Sequence, residues 1–405
     1  MTPLRILHVT PYFADAWAYG GIPRVVHALT HALVRRGHSV TVCTTDVCDA
    51  LTRSPRCDNF RQRWRDVPRI DLPDGLHVRV FRNISNRVAY HLQFYSPLGF
   101  KRFMSQEASG FDLAHLHACR NLPGVIAASQ LRHARVPYVL TPNGTAPRIE
   151  RRRLAKLAFD LLGGDRVFHD ASRLLAVTRV EAQQLRDLGA DHTRIRIVPN
   201  PVDLQEFDAL PERGAFRRRR GLGAAPIVLF LGKLTPRKRL DVLIRAFQQL
   251  GDVDAQLVIA GNDMGAGRTA HELVGRLGLE SRTTFIALLR DRERLEALTD
   301  ADVLVYPSQD EIFGLVAVEA LLCGTPVVVS DDSGCGEIVR GAGGGAVIPC
   351  GDVDACAGAI RAALDAPADA RAAAAAAGSR IRSAYGADSV AAGLEQVYSE
   401  LVSST

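Results

Sequence analysis

Two glutamates eight positions apart, Glu311 and Glu319, frame the strongest chemical signature in this 405-residue chain. The stretch reads Ser308-Gln309-Asp310-Glu311-Ile312-Phe313-Gly314-Leu315-Val316-Ala317-Val318-Glu319-Ala320 and follows a strand-like run, Val303–Tyr306. A glycine at a helix start, here Gly314, lets backbone N–H groups approach an anion closely. A carboxylate accepts hydrogen bonds from paired hydroxyls, which is how a sugar is gripped. At 1.5 Å of rise per residue the two carboxyls stand roughly 9–12 Å apart, the reach from a sugar past a pyrophosphate to a ribose. The plain alternative is a pair of solvated helix carboxylates. Glu319 argues against it, because Val316, Ala317, Val318, Ala320, Leu321 and Leu322 surround it. A carboxylate in such a run is rarely buried without a partner.

Three other stretches carry chemistry. Gly232-Lys233-Leu234-Thr235-Pro236-Arg237-Lys238-Arg239 places four cations within seven residues at the exit of the strand-like Ile227–Leu231. That suits a pyrophosphate, and equally an exposed basic loop. Tyr19-Gly20-Gly21-Ile22-Pro23 sets two glycines before a helix amino terminus. It permits a close phosphate contact but lacks the G-x-G-x-x-G spacing of a dinucleotide site. In Asp112-Leu113-Ala114-His115-Leu116-His117, strand alternation puts both histidines on one face, with His117 nearer the carboxyl end. A zinc site needs a third ligand at suitable spacing, and the sequence offers none. A core histidine is the ordinary reading, more so for His115.

The elements that must position these residues alternate strand and helix. Arg5–Thr10, Ser39–Thr45, Phe111–His117, Tyr138–Thr141, Leu174–Val177 and Ile195–Val198 read as six strands, with a helix over Ile22–Arg36. After Pro199-Asn200-Pro201 the pattern restarts with strands Ile227–Leu231, Gln256–Ala260, Thr283–Ile286, Val303–Tyr306 and Pro326–Ser330. Helices follow over Leu240–Leu250, Arg292–Thr299 and Gly314–Leu322. This predicts two parallel, doubly wound α/β domains, with ligands at the carboxyl ends of the strands. The expected division is residues 1–203 and 204–387, with a helix in 388–405 crossing back to the first domain.

Composition excludes other classes. The chain is 47% hydrophobic and 23% charged, ordinary for a globular protein and unlike a disordered or fibrous one. Its eight cysteines form no C-x-x-C pair, which fits buried thiols in a reducing compartment. The start of the chain shows no secretory apolar region, and no apolar run reaches the roughly 18 residues of a membrane span. The expected location is cytoplasmic, or peripheral at the inner face of a membrane. Residues 1–200 carry a net charge of +13 and residues 201–405 one of −7. A basic first half suits an anionic membrane or a phosphorylated substrate. Arg148–Phe159 mixes cations with apolar residues at helical spacing, and Arg61–Arg65 around Trp64 does so more weakly. A solvated surface helix explains both equally well. No nucleic-acid-binding motif is visible.

Taken together, the motifs resemble the retaining glycosyltransferases of family 4, over nearly the whole chain. The resemblance rests on the E-x7-E motif Glu311–Glu319 with Phe313-Gly314-Leu315, and on Val305-Tyr306-Pro307-Ser308 and Cys323-Gly324-Thr325-Pro326-Val327. Gly232-Lys233 with Lys238, Val198-Pro199-Asn200-Pro201-Val202-Asp203, Gly20-Gly21 and Arg36-Gly37-His38 extend it. It implies the GT-B fold, two Rossmann-like domains facing across a cleft. The first would be the acceptor side and the second would bind the nucleotide sugar, with domain closure joining them. It also implies a metal-independent, cofactor-free enzyme. That enzyme would move a sugar, with retention, from a nucleotide-diphosphate sugar to a glycan or lipid-linked glycan acceptor in cell-surface polysaccharide assembly.

By the same resemblance, Glu311 contacts the transferred sugar and Glu319 holds the ribose. Lys233 and Lys238 neutralise the pyrophosphate with backbone amides at Gly314, Leu315 and Gly21, while Gly20 and Phe313 belong to the donor site. His117 lies beside the transferred sugar. Lys233 stands where the family has Arg, Arg239 and Pro201 where it has Gly, and Asn143-Gly144 replaces a frequent His-Gly. Lys233 can neutralise a phosphate but not bind it as a planar fork. A GT-B-fold epimerase or phosphorylase, and a non-catalytic nucleotide-sugar-binding subunit, are the alternatives.

Overall fold

Buried on both faces, parallel strands read as continuous apolar runs, and the chain contains two sets of them. The computed structural model describes residues 2–14, 16–48, 73–147, 159–160, 164–251 and 253–403. They divide into two units, Met1–Val202 with Ala387–Thr405, and Asp203–Gly386. Each boundary falls one residue before the sequence-based position. The Ala387 N–H donates to the Val202 carbonyl at 3.0 Å, which ties the last helix to the first unit from its first residue.

The first unit holds a seven-stranded sheet. Its strands are β1 (Arg5–Val9), β2 (Ser39–Thr45), β3 (Leu76–Phe81), β4 (Leu113–His117), β5 (Tyr138–Thr141), β6 (Arg173–Ala176) and β7 (Ile195–Ile197), in the order β3-β2-β1-β4-β5-β6-β7. Every pairing is parallel. The second unit holds six strands, β8 (Ile227–Leu231), β9 (Gln256–Ala260), β10 (Thr283–Ile286), β11 (Val303–Tyr306), β12 (Val327–Ser330) and β13 (Gly345–Ile348), in the order β10-β9-β8-β11-β12-β13. These too pair in parallel. The sheets are thus the two doubly wound α/β sheets that the sequence predicts.

Each sheet has one strand more than the sequence reading, and both additions, β3 and β13, are edge strands. An edge strand is covered less completely, so its apolar run is broken. In β3, Leu-His-Val-Arg-Val-Phe, exposed His77 and Arg79 interrupt the apolar positions. In β13, Gly-Ala-Val-Ile, the first residues are weak strand formers.

Strand order reverses direction at β1/β4 in the first sheet and at β8/β11 in the second. Such switch points open a crevice at the carboxyl ends of the strands. His117 ends β4, the Lys233–Lys238 loop leaves β8, and the Glu311 loop leaves β11.

The last helix, Ala387–Val402, buries Ala391, Leu394, Tyr398 and Leu401 in one core with Leu29 and Leu33 of the helix Ile22–Arg35. Each large side chain so buried contributes about 1.5–3 kcal/mol. The Arg36-Gly37-His38 motif fastens the joint. The Arg36 guanidinium donates to both oxygens of Glu395 at 2.7 Å each. His38 accepts the Leu4 N–H at Nδ1 (3.1 Å), so its proton lies on Nε2 and is donated to Glu395 at 2.9 Å. These hydrogen bonds, led by that from Arg36, hold the Glu395 carboxyl below the usual range despite partial burial.

Candidate active site

In the second unit, β11 delivers the chain into the loop Pro307–Gly314 and the helix Leu315–Leu322. Gly314 has φ +71°, and a Cβ there would lie 2.3 Å from Cys335 Sγ. Only glycine therefore lets the loop turn into the helix so close to its neighbour. No side chain caps the helix start, which leaves backbone N–H groups for an anion. Phe313 is buried, edge-on to Tyr385 with centroids 5.7 Å apart. Its side chain packs the loop, so a ligand at the helix start would meet its backbone.

The cation loop leaves β8 beside β9. A Cβ at Gly261 would lie 1.8 Å from the Gly232 carbonyl oxygen, so the two exits need glycine to approach. The loop carries Lys238 to Glu311. The Lys238 ammonium donates to the Glu311 carboxylate and the Tyr306 hydroxyl, and sits 4.4 Å from the Tyr306 ring centroid. Tyr306 and Ser308 also donate to Glu311, at 3.2 and 3.3 Å. Burial would raise the Glu311 carboxyl, but the Lys238 charge and hydrogen bond outweigh it and bring it to about 2. Burial, then repulsion from Lys238, pulls Lys233 down to about 8. The structure thus brings Lys233, Lys238 and Glu311 into one electrostatic cluster.

Glu319 lies within the helix Leu315–Leu322, 1% exposed. Its partner is Arg294 of the helix Asp291–Asp300, whose guanidinium also donates to Glu206. Sequence reasoning anticipated a partner for this carboxylate but did not find Arg294. The available signal was Arg294 one turn before Leu298, on the apolar face of that helix.

In the first unit, Gly20 has φ +95°, and no side chain caps the helix Ile22–Arg35 that Gly21 precedes. His117 is 2% exposed at the end of β4. One expectation needs correction. A third histidine does stand beside the pair. Parallel pairing of β1 with β4 sets His8 directly opposite His115, a relation that spacing along one segment could not show. His8, His115 and His117 form a buried group that could be considered for a metal. Yet His115 hydrogen-bonds through both nitrogens, to Tyr398 Oη (2.7 Å) and Thr141 Oγ1 (2.6 Å), and its ring stacks on His117 with centroids 4.1 Å apart. Stacked rings do not aim their in-plane lone pairs at a common point, so these three fit a metal poorly. Burial lowers all three, His117 to about 3, so they are neutral at pH 7.

A further buried carboxylate, Glu181, escaped the sequence reading. It accepts N–H groups from Gly144 (2.6 Å) and Val177 (2.8 Å), and burial raises it to about 7 against those bonds. It joins the exits of β5 and β6 beside Asn143, which has φ +52° and a side chain whose buried polar atoms find no partner. In Glu181→Gln an amide NH2 meets a backbone N–H, which costs about 1–3 kcal/mol. The wild-type carboxyl loses stability as pH rises from the unfolded value near 4.5 through 7. The gap between wild type and variant therefore narrows by about 2 kcal/mol between pH 5 and pH 8, as urea titrations would measure.

Of Arg148–Phe159, residues 148–158 lie outside the described residues, as do Arg61–Arg65. Among the described residues no helix is long and apolar enough to cross a membrane.

The comparisons with known proteins agree on one group. Residues 19–206 match the family model described as Glycosyltransferase Family 4, and residues 213–380 that described as Glycosyl transferases group 1. A D-inositol 3-phosphate glycosyltransferase of Mycolicibacterium gilvum (strain PYR-GCK) is 37% identical over 353 residues, 83% of this chain and 75% of the relative. One from Mycolicibacterium smegmatis (strain ATCC 700084 / mc(2)155) is 35% identical over 386 residues, 90% and 84% of the two chains. Among solved structures, Anabaena HepE in complex with UDP and glucose superposes with a TM-score of 0.75 at 19% identity, covering 98% of this chain and 100% of that one. Sucrose-phosphate synthase from Thermosynechococcus elongatus gives 0.74 at 23% identity, covering 99% and 100%.

Proposed function

Because the chain belongs to the family 4 glycosyltransferases, with their GT-B fold, we propose that it transfers a sugar from a nucleotide-diphosphate sugar to an acceptor hydroxyl with retention at the anomeric carbon. The observation that carries this reading is the cluster of Lys233, Lys238 and Glu311 beside the uncapped helix start at Gly314. Cations and oriented N–H groups stabilise a departing diphosphate. The anomeric C–O bond breaks with its electron pair going to the diphosphate oxygen. The acceptor oxygen attacks the same face of the oxocarbenium-like sugar, and its proton passes to the leaving phosphate. Glu311 accepts from the sugar's hydroxyls and Glu319 from the ribose, each in exchange for part of its present bonding. Being neutral, His117 hydrogen-bonds to the sugar rather than delivering a full charge. Gly20, Gly21, Phe313 and Leu315 contribute backbone to the donor.

The proposed acceptor is a glycan or lipid-linked glycan. The relatives named for D-inositol 3-phosphate favour a second reading, a soluble phosphorylated polyol. Incubation with UDP-, ADP- and GDP-glucose and acceptors of both kinds tests the proposal, with NMR reading the anomeric configuration. Transfer with retention supports it. Epimerisation without acceptor, or no turnover with any pair, rejects it. A membrane-borne acceptor also predicts that the chain floats with liposomes containing anionic lipid and is released by salt. Flotation indifferent to both would exclude electrostatic docking.

A further inference from the structure

We propose that His8 is a positioning residue that fixes the tautomer of His117, so that His117 presents an N–H at Nδ1 to the bound sugar. This rests on the role given to His117 above. The two imidazoles share one hydrogen bond, His8 Nδ1 to His117 Nε2, at 3.0 Å, with ring planes 20° apart. One proton occupies that bond. Both rings are neutral because burial, and for His8 also the neighbouring His117, disfavours the charged form. Each ring therefore has one N–H, and the choice made at the shared bond dictates the far side of both.

The far nitrogens are His8 Nε2 and His117 Nδ1, and both are buried without a partner. If His117 donated at the shared bond, the orphan N–H would fall on His8 Nε2, in a residue 0% exposed and one position before the end of β1. If His8 donates, the orphan N–H falls on His117 Nδ1, at the carboxyl end of β4. A void of about 20 Å³, lined in part by His115, His117, Thr141 and Asn200 but not by His8, has room for one acceptor oxygen beside His117. Buried N–H groups without acceptors are scarcer in proteins than under-used acceptors. The second arrangement therefore wins, with His8 protonated on Nδ1. His115 keeps His117 in place without competing for the proton, since its own nitrogens are engaged by Tyr398 and Thr141.

The tautomer is read directly by long-range ¹H–¹⁵N correlation on the full-length, ¹⁵N-histidine-labelled protein, with His117 assigned by comparison with His117→Asn. A proton on His117 Nδ1 is expected; one on Nε2 overturns the proposal whatever the kinetics show. In His8→Leu, kcat falls about 10- to 100-fold, while KM for the sugar nucleotide stays within about twofold. His8→Asn, whose amide can donate in place of Nδ1–H, restores kcat to within about threefold of wild type. A folded Leu variant with wild-type kcat, or an Asn variant no better than Leu, contradicts the positioning role. His117→Ala separates the two claims. If it keeps wild-type kcat, the role of His117 in transfer fails, and the spectrum alone still decides whether His8 sets the proton.

Discussion

Replacing Lys238 by Met lowers kcat/KM for sugar transfer about 10²- to 10³-fold, the loss seen when one preorganised donor to a developing oxyanion is removed, about 2.7–4 kcal/mol. Lys238 supplies a charge that is already in place, held by Glu311 and the Tyr306 hydroxyl and ring. Little reorganisation is then needed as the diphosphate departs. Two consequences separate this from simple loss of structure. First, Glu311 loses its counter-charge, and burial then lifts its carboxyl from about 2 toward or beyond the ordinary range. The variant's residual rate therefore falls on acidification at a pH where the wild type is flat. Second, Lys238→Arg keeps the charge and recovers part of the rate, though a planar fork fits the two oxygens differently. Steady-state kinetics between pH 5 and pH 8 check both. A Met variant with wild-type kcat/KM would remove Lys238 from the chemistry.

Arg294→Met costs about 3–5 kcal/mol of stability, the penalty for removing one member of a buried ion pair. Glu319 has no route to water at 2% side-chain exposure, whereas Glu206, at 32%, can turn outward. The penalty is thus carried by Glu319, and a double variant checks this. Urea titration of Arg294→Met with Glu319→Leu should recover most of the loss, because an apolar pair of similar size has no charge to desolvate. A loss below about 1 kcal/mol for Arg294→Met, or a double variant as unstable as the single one, would show that the pair is not what holds Glu319.

Arg294 also shows where sequence reading stops. Central strands such as Ile227-Val-Leu-Phe-Leu231 are legible because burial on both faces demands an unbroken apolar run. Glu311, Lys238 and Gly314 are legible because function concentrates them in two short loops after such strands. The edge strands β3 and β13 are not, because their burial is incomplete. Arg294 lies 25 residues before Glu319, and only helix packing brings them together. His8 is 109 residues from His117, and their meeting depends on the parallel register of β1 and β4. Glu181 looks like an ordinary polar residue near a helix start until the chain around Gly144 folds over it. Residues that act through local spacing could be read; those that act through register and packing required coordinates.

The central claim is that the helix start at Gly314, with Lys233 and Lys238, receives a nucleoside diphosphate. Calorimetric titration of UDP, ADP and GDP into wild type and Lys238→Met tests it most directly. At least one diphosphate should bind the wild type, and its affinity should fall tenfold or more in the variant. Binding of none of them, or equal binding to both proteins, would contradict the claim.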